Sequence, residues 1–253
     1  MKDPRVLVLD CETAPMIAYV WGRRDQNIAT NQIKNDWHLM SYACKWLGTP
    51  AYATFYSDQR NEKHIENDKA LLEELWVMLD SADILITQNG KNFDSRKINA
   101  RFIEHGMTPP SPYKHLDTYQ IVRRVADFSS NSLEFLTSKL CTKYKKLTHA
   151  KYPGMTLWKE CLAGNMKAWD EMKKYNIHDV LATEELYMKL RAWAPANAPK
   201  PYQVSDVTKQ CGVCGTTGLL NARGHGCNKK GIYQKYQCQK CGSWQSGPVQ
   251  EAA

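Results

Sequence analysis

Asp10 and Glu12 stand two residues apart at the end of an apolar run, in Val6-Leu-Val-Leu-Asp10-Cys-Glu12-Thr13. Such a run reads as a buried strand. Alternate strand residues share a face, so the two carboxylates converge while Cys11 turns towards the core and takes no part. Like charges held this close repel, and a divalent cation relieves them. An isolated D-x-E is more commonly a strand running out into a polar turn, so the metal reading requires further carboxylates. They are present. Asp94 closes Asn89-Gly-Lys-Asn-Phe93-Asp94, just after the strand-like Ile84-Leu-Ile86. Asp179 lies four residues after Tyr175 in a helix-forming segment, which puts phenol and carboxylate on one helix face. Four carboxylates from three segments can hold two hard cations, one activating a water and the other stabilising the leaving oxygen of an in-line displacement at phosphorus. The tyrosine hydroxyl can orient the attacking water.

A second set of ligand-type residues lies near the C-terminus. Cys211-Gly-Val-Cys214 and Cys238-Gln-Lys-Cys241 are two knuckles, each followed by glycine. Four thiolates in this arrangement suit one tetrahedral structural Zn²⁺, in a closed and therefore non-catalytic site. Leu219-Leu220 and Tyr233-Gln-Lys-Tyr236 supply strands for a zinc ribbon, which is too small to fold without its metal. His225 and Cys227 lie between two complete pairs and are spare. Cys11, Cys44, Cys141 and Cys161 have no metal spacing and read as buried thiols. Arg223, Lys229, Lys230, Lys235 and Trp244 make nucleic acid the leading partner of the ribbon, with protein docking as the alternative.

The elements that must position these residues alternate between strand and helix. Ser41–Leu47 and Ala51–Tyr56 read as strands joined at Gly48-Thr-Pro50. Leu71, Leu72, Leu75 and Leu79 mark a helix, and Ile98 and Phe102 another. His115–Thr118 ends in Asp117, expected to cap a following helix. Asn131-Ser-Leu-Glu134 has capping-box spacing and opens a helix. Residues 167–193 form a long helix with Met166, Trp169 and Met172 in the core. Pro195, Pro199 and Pro201 then break all periodicity. The expected organisation is an α/β domain at 1–194 with a mixed sheet flanked by helices, a Pro-rich linker at 195–209 and the ribbon at 210–247.

The 253 residues suffice for one full domain and a small one, and 43% hydrophobic content supports a packed core. No apolar run approaches the roughly 18 residues that span a bilayer, and no signal peptide precedes the first strand, so a cytoplasmic, reducing setting without membrane partners is expected. The net charge is +8, of which +5 falls after residue 195, where seven basic residues face Asp206 and Glu251. That excess suggests a polyanion. Lys139, Lys143, Lys145, Lys146 and Lys151, interleaved with Tyr144 and Tyr152, can track a phosphodiester backbone or form a solvated face.

D-x-E-T, N-x-x-x-F-D and Y-x-x-x-D, in that order, resemble the DEDD superfamily of 3′–5′ exonucleases, with an RNase H-like fold. The tyrosine-bearing branch fits, because the histidine branch would need His at the position of Lys174. The wider context, including Tyr19-Val-Trp-Gly22, Leu157-Trp158 and the zinc module, is similar to bacteriophage-encoded exonuclease-like proteins, which would place the chain in a host cytoplasm. The resemblance implies two Mg²⁺ or Mn²⁺ ions. Asp10 would bridge both, Glu12 and Asp179 would hold the nucleophile-side ion, Asp94 would hold the other and Tyr175 would position the water. It implies substrate contacts from Thr13, Asn89, Phe93, Lys143, Lys145 and Lys146, beside Arg223, Lys229 and Lys230 of the ribbon. Many relatives have His where Gln88 stands and an acidic residue near Lys91 or Asn92, so substrate preference can differ. The implied activity is release of 5′-nucleotides from a nucleic-acid 3′ end, with DNA and a single strand favoured and replication or recombination proteins as further partners. The competing readings are an RNase H-like endonuclease or RNA-processing nuclease, and a non-catalytic nucleic-acid-binding replication accessory protein.

Overall fold

The computed structural model describes residues 3–147, 151–195, 198–202 and 204–250. Positions 148–150 of the basic run and 196, 197 and 203 of the expected linker lie outside the described residues.

The first strand, β1 (Val6–Thr13), is the middle of a five-stranded sheet. A small excursion follows, pairing β2 (Ile17–Ala18) with β3 (Ile33–Asn35). Then come β4 (Leu39–Trp46), β5 (Phe55–Asp58), α1 (Lys69–Asp80), β6 (Ile84–Thr87), α2 (Asp94–Glu104) and β7 (Lys114–Asp117). The sheet order is β5-β4-β1-β6-β7. β4 is antiparallel to β1 and β5 to β4, whereas β6 runs parallel to β1 and β7 parallel to β6. Four helices complete the domain: α3 (Thr118–Val125), α4 (Leu133–Leu140), α5 (Thr156–Leu162) and α6 (Met166–Leu190).

The alternation of β1 decides which layer each of its side chains meets. Leu7, Leu9 and Cys11 pack with Leu72, Leu75 and Leu79 of α1 and with Ile98 and Phe102 of α2. Val6 and Val8 face the other way, against Val180 and Tyr187 of α6. Each fully buried leucine contributes roughly 2 kcal/mol of transfer free energy, and shifting the strand by one residue would exchange its two faces and carry Asp10 and Glu12 to the side of α1 and α2. The pairing of β1 with β4 is irregular at its end: Glu12 opposes Ser41 and Thr13 opposes Leu39, leaving Met40 as an extra residue. Such bulges re-aim nearby side chains and recur beside active sites.

α6 runs 25 residues, about 37 Å. Asn165 caps it by accepting from the Lys167 and Ala168 amides, and a 3-10 turn at Arg191–Trp193 ends it before Pro195. Its first half packs Trp169 and Met172 with Leu157 and Cys161 of α5. Its last turns pack Leu186 and Leu190 against α3 and α4.

The architecture is the expected mixed α/β sheet flanked by helices. Local differences have local causes. Ala51–Ala53 forms a 3-10 turn after Pro50 instead of strand, its end closed by the Thr54 hydroxyl on the Ala51 carbonyl at 2.7 Å. α4 is capped by Ser132, which accepts from the Phe135 amide at 3.3 Å, so the expected capping box starting at Asn131 is one residue out of register.

The C-terminal part forms β8 (Leu220–Asn228), β9 (Gly231–Cys238) and β10 (Trp244–Gln250), an antiparallel sheet of order β10-β9-β8. It is longer than the two short strands expected, and β10 is additional. The cysteine cluster beside it fits a zinc ribbon. Among the described residues no helix is long and apolar enough to cross a membrane.

Candidate active site

Asp10 and Glu12 lie on the face of β1 that looks at α6, and α6 supplies Asp179. One oxygen from each of these three carboxylates falls within 4.8 Å of the others. Every member is oriented by a second group. The fully buried Asn176 donates from Nδ2 to Asp10 Oδ2 at 2.6 Å and to the Asp10 carbonyl at 3.2 Å. Its own Oδ1 accepts from the Ser41 hydroxyl at 3.2 Å, turning the amide donors towards Asp10. Glu12 Oε2 accepts from the Trp158 indole at 3.1 Å. Asp179 Oδ2 pairs with Lys146 Nζ at 2.9 Å, whereas its Oδ1 is buried and makes no hydrogen bond among the described residues. Tyr175, one turn before Asp179, is buried edge-on to Trp158, and Lys146 Nζ lies 4.9 Å from its ring centre.

The electrostatics follow from burying several anions beside one cation. Burial raises the Asp10 carboxyl well above its usual range, and repulsion from Asp179, Asp94 and Glu12 adds to it. Glu12 is pushed up to about 8 by burial and then by Asp179, despite the counter-pull of Lys146 and the Trp158 hydrogen bond. Asp179 is raised by burial in spite of Lys146. Burial also raises the Tyr175 phenol, so it is un-ionised at neutral pH. Carboxyls whose proton affinity is raised for want of positive charge form a site that a divalent cation would relieve and occupy. Asp179 Oδ1 fits this, since a buried oxygen that makes no hydrogen bond among the described residues costs free energy that a cation beside it would offset.

Asp94 stands apart from that cluster. As the first residue of α2 it approaches the opposite face of β1, and its Oδ1 accepts from the Cys11 amide and thiol, both at 3.2 Å. Burial lifts it to about 6 against those hydrogen bonds. Cys11 is buried in the core as expected, but it does take part, by holding Asp94.

Asp117 caps α3 as expected and also accepts from the Asn89 and Lys91 amides, which ties the Gln88–Phe93 loop to β7. Asn89 there adopts φ +63°, and a Cβ at Gly90 would collide with the Thr87 side chain. Asn89 and Gln88 border a cleft of about 260 Å³ that opens onto Asp10, Lys146 and Asp179. Thr13 lines a neighbouring apolar cavity of about 470 Å³ with Met16, Trp37 and Trp158, while Phe93 is exposed nearby. Among the described residues of the basic run, only Lys146 enters the carboxylate cluster. Lys143 is exposed over the Tyr144 ring, and Lys145 is exposed with its carbonyl 2.5 Å from His178 Nε2.

In the C-terminal part the Sγ atoms of Cys211, Cys214, Cys238 and Cys241 all lie within 4.8 Å of one another, with contacts of 3.8 Å and 3.7 Å. A tetrahedron with metal–sulfur bonds of about 2.3 Å has edges of about 3.8 Å. His225 and Cys227 are exposed on β8, and Arg223, Lys229 and Lys230 are exposed on β8 and the turn after it.

Sequence reasoning missed Asn176, noted Trp158 only within the wider resemblance, and assigned Lys146 to the substrate without a carboxylate partner. Asn176 sits three residues before Asp179, so both occupy one helix face, and a fully buried amide on such a face demands a partner. Nothing local pairs Trp158 with Glu12, which is 146 residues away.

Comparison with known folds agrees with this architecture. No curated protein matches the chain. Among solved structures, the family B DNA polymerase from the hyperthermophilic archaeon Pyrobaculum calidifontis is similar, with a TM-score of 0.50 and 11% identity over 74% of this chain. The similar region spans 25% of that polymerase, so the likeness is one of fold. The family model of the RNase H superfamily matches residues 40–191, a span that holds Asp94, Tyr175 and Asp179 and begins after Asp10 and Glu12. With most of its length matched, the chain belongs to the RNase H superfamily.

Proposed function

We propose that this chain is a divalent-metal-dependent 3′–5′ exonuclease that hydrolyses phosphodiester bonds at a nucleic-acid 3′ end, DNA favoured, and releases 5′-nucleotides. The observation that carries the reading is the convergence of the half-buried Asp10 and Glu12 with the buried Asp179, whose Oδ1 makes no hydrogen bond among the described residues. Two Mg²⁺ or Mn²⁺ ions held by Asp10, Glu12, Asp179 and Asp94 would supply Lewis acidity to the attacking water and the leaving 3′ oxygen. The chain's own residues do the rest. Asn176 and Trp158 fix the rotamers of Asp10 and Glu12. The un-ionised Tyr175 hydroxyl can donate to, or accept from, a water at Asp179. The Lys146 ammonium balances anionic charge in the site and can meet a phosphate oxygen.

In this reading the catalytic domain covers 1–194 and a linker covers 195–209. The ribbon at 210–247 carries one structural Zn²⁺ on its four cysteines. Arg223, Lys229 and Lys230 grip the strand, as do Thr13, Asn89, Phe93, Lys143 and Lys145 around the site. The test is a 5′-labelled single-stranded oligonucleotide, as DNA and as RNA, with Mg²⁺ or Mn²⁺. A one-nucleotide ladder supports the proposal. Discrete internal cuts would instead assign an endonuclease, and no cleavage would leave a binding protein.

A further inference from the structure

Between α4 and α5 the chain delivers Lys146 to the carboxylate cluster through a segment that has no helix or strand among its described residues. Its backbone amides still need partners. Those of Thr142, Lys143 and Tyr144 all go to one carboxylate, Glu185 on α6. Thr142 N reaches Oε1 at 2.8 Å, Tyr144 N reaches Oε2 at 2.7 Å, and Lys143 N reaches Oε2 at 3.1 Å and Oε1 at 3.3 Å. The Thr142 hydroxyl adds a bond to Oε1 at 3.2 Å. Burial opposes ionisation of Glu185, but these donors hold its carboxyl below the usual range, so the clamp is charged at neutral pH. Two residues beyond the last clamped amide, Lys146 pairs with Asp179. Asp179 and Glu185 ride the same helix six residues apart, about 9 Å along its axis. Anchor and target therefore belong to one rigid rod.

We propose that Glu185 is a positioning residue, which clamps the Thr142–Tyr144 backbone and thereby holds the Lys146 ammonium on the Asp179 carboxylate. The inference rests on the nuclease reading, because it assigns Glu185 a role only through the metal-binding carboxylates. A carboxylate that merely tidied an exposed loop would act independently of Lys146. A positioning carboxylate would lose its influence once Lys146 has no charge to position.

The experiment is a cycle of Lys146→Met, Glu185→Ala and the double variant in the full, zinc-loaded chain. Two readouts are used: Mn²⁺ titration by calorimetry, and kcat with KM on a 5′-labelled oligonucleotide. Removing a unit charge beside the site tightens Mn²⁺ binding in Lys146→Met, roughly tenfold. Glu185→Ala is expected to tighten it by about threefold or more and to lower kcat with little change in KM. In the Lys146→Met background, Glu185→Ala is expected to change neither quantity. Glu185→Asp, which keeps the charge, should restore part of both, whereas Glu185→Gln should not. If Glu185→Ala fails to fold, the Asp and Gln variants carry the same comparison. Effects of Glu185 that persist at full size without Lys146, or an unchanged Mn²⁺ affinity in every Glu185 variant, overturn the inference alone. Mn²⁺ binding that is absent in the parent chain, or unaffected by Asp10→Ala, overturns the nuclease reading with it.

Discussion

Glu12→Gln isolates the electrostatic tension of the carboxylate cluster. The Glu12 carboxyl rises from 4.5 to about 8 on folding, driven by burial and by Asp179. A folded-state value above the unfolded one means that the native chain binds more protons between the two, so this group makes stability fall as pH rises from about 4.5 to about 8. At about 1.4 kcal/mol per pH unit, the cost approaches 5 kcal/mol by pH 8. Glutamine is nearly isosteric, can still accept from the Trp158 indole and never ionises. In protein dialysed free of Mg²⁺ and Mn²⁺, with bound zinc checked, wild type and Glu12→Gln should melt alike near pH 4.5. Glu12→Gln should then become progressively more stable, by up to about 5 kcal/mol at pH 8. Adding Mn²⁺ at pH 8 should raise wild type and leave the variant nearly unmoved. Urea unfolding across pH 4.5 to 8.5 measures both effects. A gap that is constant with pH, or a wild type more stable than Glu12→Gln at pH 8 without metal, would refute the account of a proton-loaded site awaiting cations.

Other outcomes follow from the same geometry. Asp10→Ala and Asp179→Ala should each lower cleavage of a labelled oligonucleotide by about 10³-fold or more, as removing a ligand of catalytic metals requires, while circular dichroism stays native. Atomic absorption should find about one zinc per chain, lost in Cys211→Ser along with the order of β8–β10 but not with the melting transition of the larger domain. Replacing Arg223, Lys229 and Lys230 with Gln should weaken nucleic-acid binding whatever its sequence, and flatten the salt dependence by about one per lost phosphate contact. An unchanged slope would remove the ribbon from the interface.

Sequence carried the core of this arrangement because the relevant signals are periodic. The alternation of β1 put Asp10 and Glu12 on one face, and the four-residue spacing of Tyr175 and Asp179 put phenol and carboxylate on one helix face. Both relations hold within a single element. What sequence did not carry is contact between elements. That Asp94 would come to the Cys11 side of β1 depends on how α2 docks, and that Asn176 would meet Asp10 depends on a pairing across 166 residues. The cap of α4 shows a smaller failure of the same kind. Asn131 and Ser132 are both good capping residues, and their competition is decided by the chain path rather than by composition. The excursion through β2 and β3 left no periodic trace because most of its side chains face solvent.

One feature of the architecture has a mechanical meaning. α6 carries Tyr175, Asn176, Asp179 and Glu185 on a helix whose two ends are buried in separate apolar clusters. Helical positions are rigidly phased, about 100° per residue. A single inserted residue between Asn176 and Asp179 would therefore rotate one set of site groups against the other by that angle, and would turn an entire core face to water. Site geometry and core register are thus one degree of freedom. The carboxylates cannot be detuned gradually by sliding this helix, and variation in substrate choice is left to the loops around the cleft.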